Sequence, residues 1–356
     1  MKHWHETAAI LDRLLQLAAQ GSRATLATVV RIDGSAYRRP GAKLLVEESG
    51  ATLGGVSGGC LEADVRGIAA EVLRTGEPRL LRYETGSAAE TAWGLGLGCE
   101  GAVDIFVQVA DAEPGSRWRE LLSSRTPFAV CTAIDGPKAG RSVALSRAGP
   151  AGTTGDPELD AGMARVAAAL LEHGTAGLDR AAGAMVFTEV LRPPPQLTVF
   201  GAGDDARPLV ALAAQVGFLV TVVDHRPAYL TSDRFPAPAR LVLRRPSDGI
   251  EGLGLGLRQF AVVQMHALVH DRDWLSALLP LPLSYLGLLG PRQRKEEILR
   301  QLDAAGGDKL FAPVGLDVGA DGPEQVAISI VAELLAVLAG RVPVHLRDAR
   351  GGIHGP

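Results

Sequence analysis

Residues 196–226, QLTVFGAGDDARPLVALAAQVGFLVTVVDHR, constrain this chain more than any other stretch. Leu197 to Phe200 is a short apolar run of the kind that forms a buried parallel strand. The turn Gly201-Ala202-Gly203-Asp204-Asp205-Ala206 follows the pattern G-x-G-x-x-G/A. Leu209, Val210, Leu212, Ala213 and Val216 then recur at helical spacing up to Gly217. A second apolar run, Leu219 to Val223, ends in Asp224, about twenty residues past the first glycine, where an acid meets a ribose hydroxyl in dinucleotide sites. Gly201 permits the tight turn and Gly203 lets a phosphate approach the backbone. The helix N-terminus offers free N–H groups and a partial positive charge. Together these parts predict a Rossmann-type β-α-β unit, which is a statement about fold and not about function.

The surrounding sequence extends that unit. Arg240 to Leu243, Gln259 to Met265 and Tyr285 to Leu289 read as further short parallel strands separated by helix or loop, so residues 196–345 form an α/β domain with a doubly wound parallel sheet. Polar groups gather at three strand ends: Asp224-His225-Arg226, then His266, His270 and Asp271, then Gly290, Arg292, Arg294 and Lys295. His266 and His270 have the spacing of a helical metal pair, but no H-E-x-x-H pattern accompanies them and a strand precedes them. Structural or ligand-edge histidines are the commoner case. Arg292 and Lys295 suit a phosphate at a helix start, or a solvated basic face. Arg192-Pro193-Pro194-Pro195 is a stiff linker that bounds the domain, and residues 346–356 form a tail.

Residues 1–110 read as an α+β domain with glycine-rich loops. A helical pattern over 6–20 precedes strands at Ala24–Ile32 and Lys43–Glu47. Gly54, Gly55, Gly58 and Gly59 then run into a helix carrying Leu61, Val65, Ile68, Ala69 and Val72. Cys60 therefore lies beside a helix N-terminus, where orphan N–H groups cradle anions and favour thiolate. A nucleophile or soft-metal ligand is placed this way, and so is a small residue chosen for close packing. A third cluster, Gly94, Gly96, Gly98 and Gly101, surrounds Cys99. The two cysteines either face one cavity or occupy unrelated turns. Cys131, in an apolar β-rich run, reads as core. Residues 111–195 carry no chemical motif and either extend the first domain's sheet or bridge the halves.

Bulk properties exclude several classes. A net charge of −4 provides no basic surface for nucleic acid. The apolar stretch 326–342 is interrupted by Ser329 and Glu333, so it predicts a buried helix rather than a membrane span. The first residues soon carry Glu6, Asp12 and Arg13, unlike a signal peptide. Three well-separated cysteines make no disulfide framework, and a reducing cytoplasm is the expected setting.

The string GSAYRRPGAKLLVEESGATLGGVSGGCLEADV resembles the N-terminal domain of the XdhC/CoxI family. The matching elements are Gly34-Ser35, Arg38, Gly41-Ala42, Leu45-Val46, Gly50 and Gly58-Gly59-Cys60-Leu61-Glu62. The GAGDDA turn, YLGLLGPRQRK and a final block with Pro313, Gly315-Leu316-Asp317, Gly319, Pro323-Glu324, Ala327, Ser329 and Glu333 extend the resemblance to both domains. Tyr37 stands where many relatives have proline, Leu44 where many have methionine, and Asp204 where many have histidine. GPRQRK stands where many relatives carry serine after the glycine.

The resemblance implies a molybdenum cofactor insertion factor for xanthine dehydrogenase-type and carbon monoxide dehydrogenase-type hydroxylases, an accessory protein rather than an enzyme. The loop positions agree with that reading and suggest a cofactor set of Arg38, Gly58, Gly59, Cys60, Glu62, Cys99, Gly201, Gly203, Asp204, Asp224 and Arg292. On loop position Cys60 is the preferred molybdenum or sulfur contact, Cys99 is second, and Glu62 would orient or protonate ligands nearby. The implied partners are an apo-hydroxylase and a cysteine desulfurase; a homodimer is expected besides, and the GAGDDA fingerprint suggests a nucleotide in the Rossmann domain as a further ligand. The competing readings are an NAD(P)-dependent oxidoreductase and a nucleotide-sensing regulator. The sequence has no Tyr-x-x-x-Lys or other acid/base constellation for hydride transfer, which counts against the first.

Overall fold

A computed structural model describes residues 2–34, 38–85, 101–174 and 176–348. Two compact units emerge, Lys2–Pro193 and one beginning at Pro194. Among the described residues no helix is long and apolar enough to cross a membrane.

The first unit holds two five-stranded antiparallel sheets. One contains β1 (Ala24–Gly34), β2 (Lys43–Glu47), β3 (Thr52–Gly54), β4 (Arg79–Thr85) and β5 (Gly101–Val109), in the order β3-β2-β1-β5-β4. Residues of the middle segment build the other: β6 (Phe128–Ala133), β7 (Ser142–Ser146), β8 (Gly149–Ala151), β9 (Ala176–Ala181) and β10 (Ala184–Leu191), in the order β8-β7-β6-β10-β9. The middle segment therefore builds a sheet of its own rather than extending the first.

Strand alternation assigns the faces. Ala27, Val29, Leu44, Val46, Ile105 and Val107 pack under helix α2 (Glu62–Thr75) through Val65, Ala69 and Val72. Between the sheets lie Val30, Phe106, Ile134 and Phe187. Helices α1 (Lys2–Ala19) and α3 (Ala112–Ser123) add Trp4, Leu11, Leu14 and Trp118 to a core with Leu26 and Phe128. Helix α4 (Pro157–His173) covers the second sheet, where Cys131 is buried against the carbonyl of Met163 and the hydroxyl of Thr188. Burial pushes the Cys131 thiol up to about 11, so this cysteine is inert core.

A charge pair joins the two sheets. Lys43, 3% exposed, reaches from β2 to within 2.5 Å of Glu189 on β10, itself 8% exposed, and also donates to the Gly41 carbonyl. A lysine between Ala42 and Leu44 in an apolar strand is buried only when paired.

The second unit is a six-stranded parallel sheet in the order β13-β12-β11-β14-β15-β16. Its strands are β11 (Gln196–Phe200), β12 (Leu219–Asp224), β13 (Arg240–Leu243), β14 (Phe260–Val263), β15 (Tyr285–Leu288) and β16 (Leu310–Phe311). Helices α5 (Ala206–Gln215) and α8 (Pro323–Leu338) pack on one face, through Leu209, Val210, Ala213, Ile330 and Leu334. Helices α6 (Leu268–Leu278) and α7 (Arg292–Leu302) pack on the other, through Trp274, Leu275, Leu278 and Ile298. The chain runs outward from β11 to β13 and resumes on the other side at β14, so the topological switch point lies between the ends of β11 and β14.

The inter-sheet charge pair is testable by equilibrium unfolding. Glu189→Ala leaves a buried, unpaired Lys43 and is expected to cost about 3–5 kcal/mol. The double change Lys43→Met, Glu189→Leu is expected to recover most of that loss. Equal losses in the single and double variants would show that the charge imbalance is not the cause.

Candidate functional site

Among the described residues, each unit presents a glycine-rich loop with chemistry attached. In the first, Gly54 opens the loop with φ +92°, and a Cβ there would fall 2.3 Å from the Lys43 carbonyl, so no other residue fits. That carbonyl accepts the Gly55 N–H at 2.7 Å. Glu62, the first residue of α2, turns its carboxylate back into the loop and accepts from the N–H groups of Val56 at 3.2 Å and Ser57 at 2.8 Å and from the Ser57 hydroxyl. The Ser57 oxygen in turn accepts from the N–H groups of Gly59 and Leu61, each at 3.1 Å. Burial raises the Glu62 pKa, but the Ser57 and backbone donors outweigh it and the net shift is downward. Glu62 is thus an ionised brace of the loop, with its oxygens turned inward.

The braced loop presents Cys60, partly exposed, two residues before the helix. Gly59 has φ +110° with open space where a Cβ would be, so conformation and not crowding requires glycine there. Among the described residues, the N–H groups of Gly58 and Cys60 have no hydrogen-bond partner. A partly exposed cysteine beside two free amides at a helix N-terminus can hold a soft metal or sulfur together with an anionic oxygen.

Two other expected residues behave differently. Arg38 is 9% exposed and faces α1, with Nη2 at 2.8 and 2.7 Å from the two Glu6 oxygens. Cys99 lies outside the described residues.

In the second unit the fingerprint loop sits at the switch point. Gly201 has φ +118°, and a Cβ there would lie 2.3 Å from the Gln264 carbonyl at the end of β14. The first glycine is required by the approach of the neighbouring strand end.

Asp224 does not present its carboxylate to a ligand. It is 0% exposed, and Oδ2 accepts the Ala202 N–H of the glycine loop at 2.7 Å. Arg226 fills the remaining positions, with its N–H at 2.9 Å and Nε at 3.0 Å from Oδ1 and Nη2 at 2.9 Å from Oδ2. Burial acts to raise the Asp224 pKa, and the Arg226 and backbone donors overcome it to give a lowered value.

The carboxylates of the loop are engaged as well. Asp205 Oδ2 lies 2.8 Å from Nε2 of His266, which follows β14, so this contact spans the mouth of the switch point. His266 adopts φ +59°, a conformation that non-glycine residues enter only when their surroundings impose it. Asp204 is 3.0 Å from Arg234, whose Nη2 also donates to the Ala202 carbonyl at 3.1 Å. Beyond the crevice Asp271, 0% exposed, accepts from the Met265 N–H at 2.9 Å and from Arg294 at 2.6 Å. Burial pushes the Asp271 carboxyl up despite those donors.

Gly201, Gly203, Asp204 and Asp224 therefore meet in one loop and its strap, while Arg292 is exposed at the start of α7. His266 and His270 share no helical face, because α6 starts only at Leu268. The His270 ring packs against His225, 4.7 Å between centroids. Among the described residues no group of three or more His, Cys, Asp or Glu side chains is arranged to hold a metal ion.

Residues 17–84 match the XdhC and CoxI family, and residues 197–334 match the XdhC Rossmann domain. A probable xanthine dehydrogenase subunit of Bacillus subtilis is 32% identical over 92% of this chain and 96% of its own length. The chain belongs to the XdhC and CoxI family. Another relative, the molybdenum cofactor insertion chaperone PaoD of Escherichia coli, is 26% identical over 94% of this chain and 93% of its own. A crystal structure of a xanthine dehydrogenase from Bacillus halodurans superposes with a TM-score of 0.77 at 28% identity, covering 94% of this chain and 97% of that one. The fold is thus shared along nearly the whole chain.

The Asp224 strap makes a pH-resolved prediction. Asp224→Ala leaves the Ala202 N–H without its acceptor and is expected to cost about 3 kcal/mol at neutral pH. Because the folded-state value lies below the usual 3.8, the wild-type advantage is complete above that value and is lost as the pH falls through the folded value. Urea titrations at pH 7 and pH 3 would check it. A wild-type advantage that is unchanged or larger at pH 3 would contradict the assignment.

Proposed function

We propose that this protein is a maturation factor for molybdenum hydroxylases. It binds the molybdenum cofactor as cargo, shelters it while a cysteine desulfurase supplies the terminal sulfur, and delivers it to an apo-enzyme of the xanthine dehydrogenase or carbon monoxide dehydrogenase type. Cys60, on its braced loop at the start of α2, is the observation that carries this reading, since the cargo combines a soft metal centre with anionic groups. The thiol would meet molybdenum or its sulfur, the Gly58 and Cys60 amides would face an oxygen, and Cys99 would be a second sulfur contact. The names of two relatives that align along almost the whole chain point to the same pathway. A homodimer is part of the proposal.

Hydride transfer is disfavoured by the latched switch point. A dinucleotide needs an acid with free oxygens for its ribose and an open crevice for its pyrophosphate. Here the acid is enclosed, and two carboxylates stand at the helix N-terminus where phosphate would bind.

The test is anaerobic purification of wild type and Cys60→Ala from a host that makes the cofactor and from one that cannot. Wild type from the first host is expected to carry molybdenum and a fluorescent oxidised pterin. Cys60→Ala is expected to retain roughly a tenth of both, and neither metal nor pterin should accompany protein from the deficient host. Full loading and full client activation by Cys60→Ala would refute the role of the thiol. Wild type lacking both signals would refute the cargo.

A further inference from the structure

Between β2 and α2 lies an open groove of about 470 Å³ that no step of cargo handling uses. Its floor is apolar, with Val46, Ala69 and Leu73 buried and Ala70 at the side. Three arginines line it: Arg23, Arg66 and Arg74. Two acids also line it, and neither pairs with a guanidinium of the groove. Glu47 is held by Arg13 through two contacts of 2.8 Å, and Glu48 accepts the Arg23 N–H at 3.4 Å. Glu71, on the same helix, pairs with Arg79 at 2.7 Å.

The arginines differ in what holds them. Arg23 donates to the Leu73 carbonyl in the last turns of α2. Among the described residues Arg66 and Arg74 have neither a hydrogen bond nor an ion pair. Arg74 lies in the last turn, where the helix dipole favours a cation. Arg66 lies in the N-terminal half, where the dipole gives no such support. Among the described residues no acid pairs with it at the groove.

From these features we infer that the β2–α2 groove docks an extended acidic segment of a protein partner, reading an acid, an apolar residue and a second acid at alternate positions. Arg66 and Arg74 are eight residues apart on α2, which at 1.5 Å per residue separates them by about 12 Å. In an extended chain, residues i and i+4 lie about 13 Å apart and share a face with i+2. The outer acids then reach Arg66 at one end and Arg74 with Arg23 at the other, and the middle side chain rests on Val46, Ala69 and Leu73. A free phosphate ion uses only one end and leaves the apolar floor uncovered. The docking requires no cofactor, so it stands or falls apart from the cargo reading.

Fluorescence anisotropy with a labelled peptide containing glutamate–serine–leucine–serine–glutamate tests this on the full chain. Wild type should bind it saturably at low salt. Arg66→Glu and Arg74→Glu should each weaken binding about tenfold, and replacing the central leucine by serine should weaken it as well. Far-UV circular dichroism and thermal midpoints should be unchanged, because among the described residues neither arginine side chain makes a hydrogen bond or an ion pair. Absence of wild-type binding, unaltered binding by the Arg66→Glu, Arg74→Glu double variant, or indifference to the leucine with full displacement by millimolar inorganic phosphate would each overturn the proposal. The last result would mark a simple anion patch.

Discussion

Asp224 carries a negative charge that the second unit buries completely and must satisfy from within. It does so with the Ala202 amide on the glycine loop and the Arg226 guanidinium and amide just past the strand. Much of the carboxyl-terminal edge of the sheet depends on this arrangement. The loop cannot move away from β12 without breaking the Ala202 amide's bond to this buried carboxylate and leaving both groups short of a partner. Its other flank is set by Gly201, which lies too close to the Gln264 carbonyl to carry a side chain. With Asp205 joined to His266 across the crevice, the switch point is fastened on both sides by the protein's own groups.

The two glycine loops solve opposite problems with similar means. Each is braced by a carboxylate that accepts backbone amides, Glu62 in the first unit and Asp224 in the second. In the first, the brace leaves the loop tip free and projects a thiol beside unused amides. In the second, the brace joins the loop to its neighbouring strand end, and further acids are balanced by Arg234 and His266. The same residue types therefore make one accessible cradle and one latched one. Charge placement decides between them, rather than glycine content.

Much of the fold is legible in the order of the amino acids. The apolar runs at Leu197–Phe200 and Leu219–Val223, separated by a helical period, admit little other than a parallel β-α-β unit, and the observed strand pairing has that form. The doubly wound sheet follows from repetition of that pattern. Local rules reach Cys60 because glycines followed by a helical period define a helix start. They fail where a side chain's partner is distant in sequence. Lys43 meets Glu189 across 146 residues, and only a charge inside an apolar strand hints at a partner. Asp224 is recognisable as an acid at a strand end, but its engagement is not. The one local clue is Arg226, two residues on in extended chain and so on the same side. The second antiparallel sheet is hidden because its strands carry no motif and its pairing is wholly tertiary.

The central claim is that the dinucleotide fingerprint of this chain is latched by its own residues, which leaves the proposed cargo chemistry to the loop that bears Cys60. Calorimetric titration of the wild-type protein with NAD+ and NADP+ tests that claim most directly. The account predicts no saturable heat with either dinucleotide. A one-to-one isotherm with micromolar affinity would contradict it, since the ribose and pyrophosphate would then displace groups held here to be locked in place.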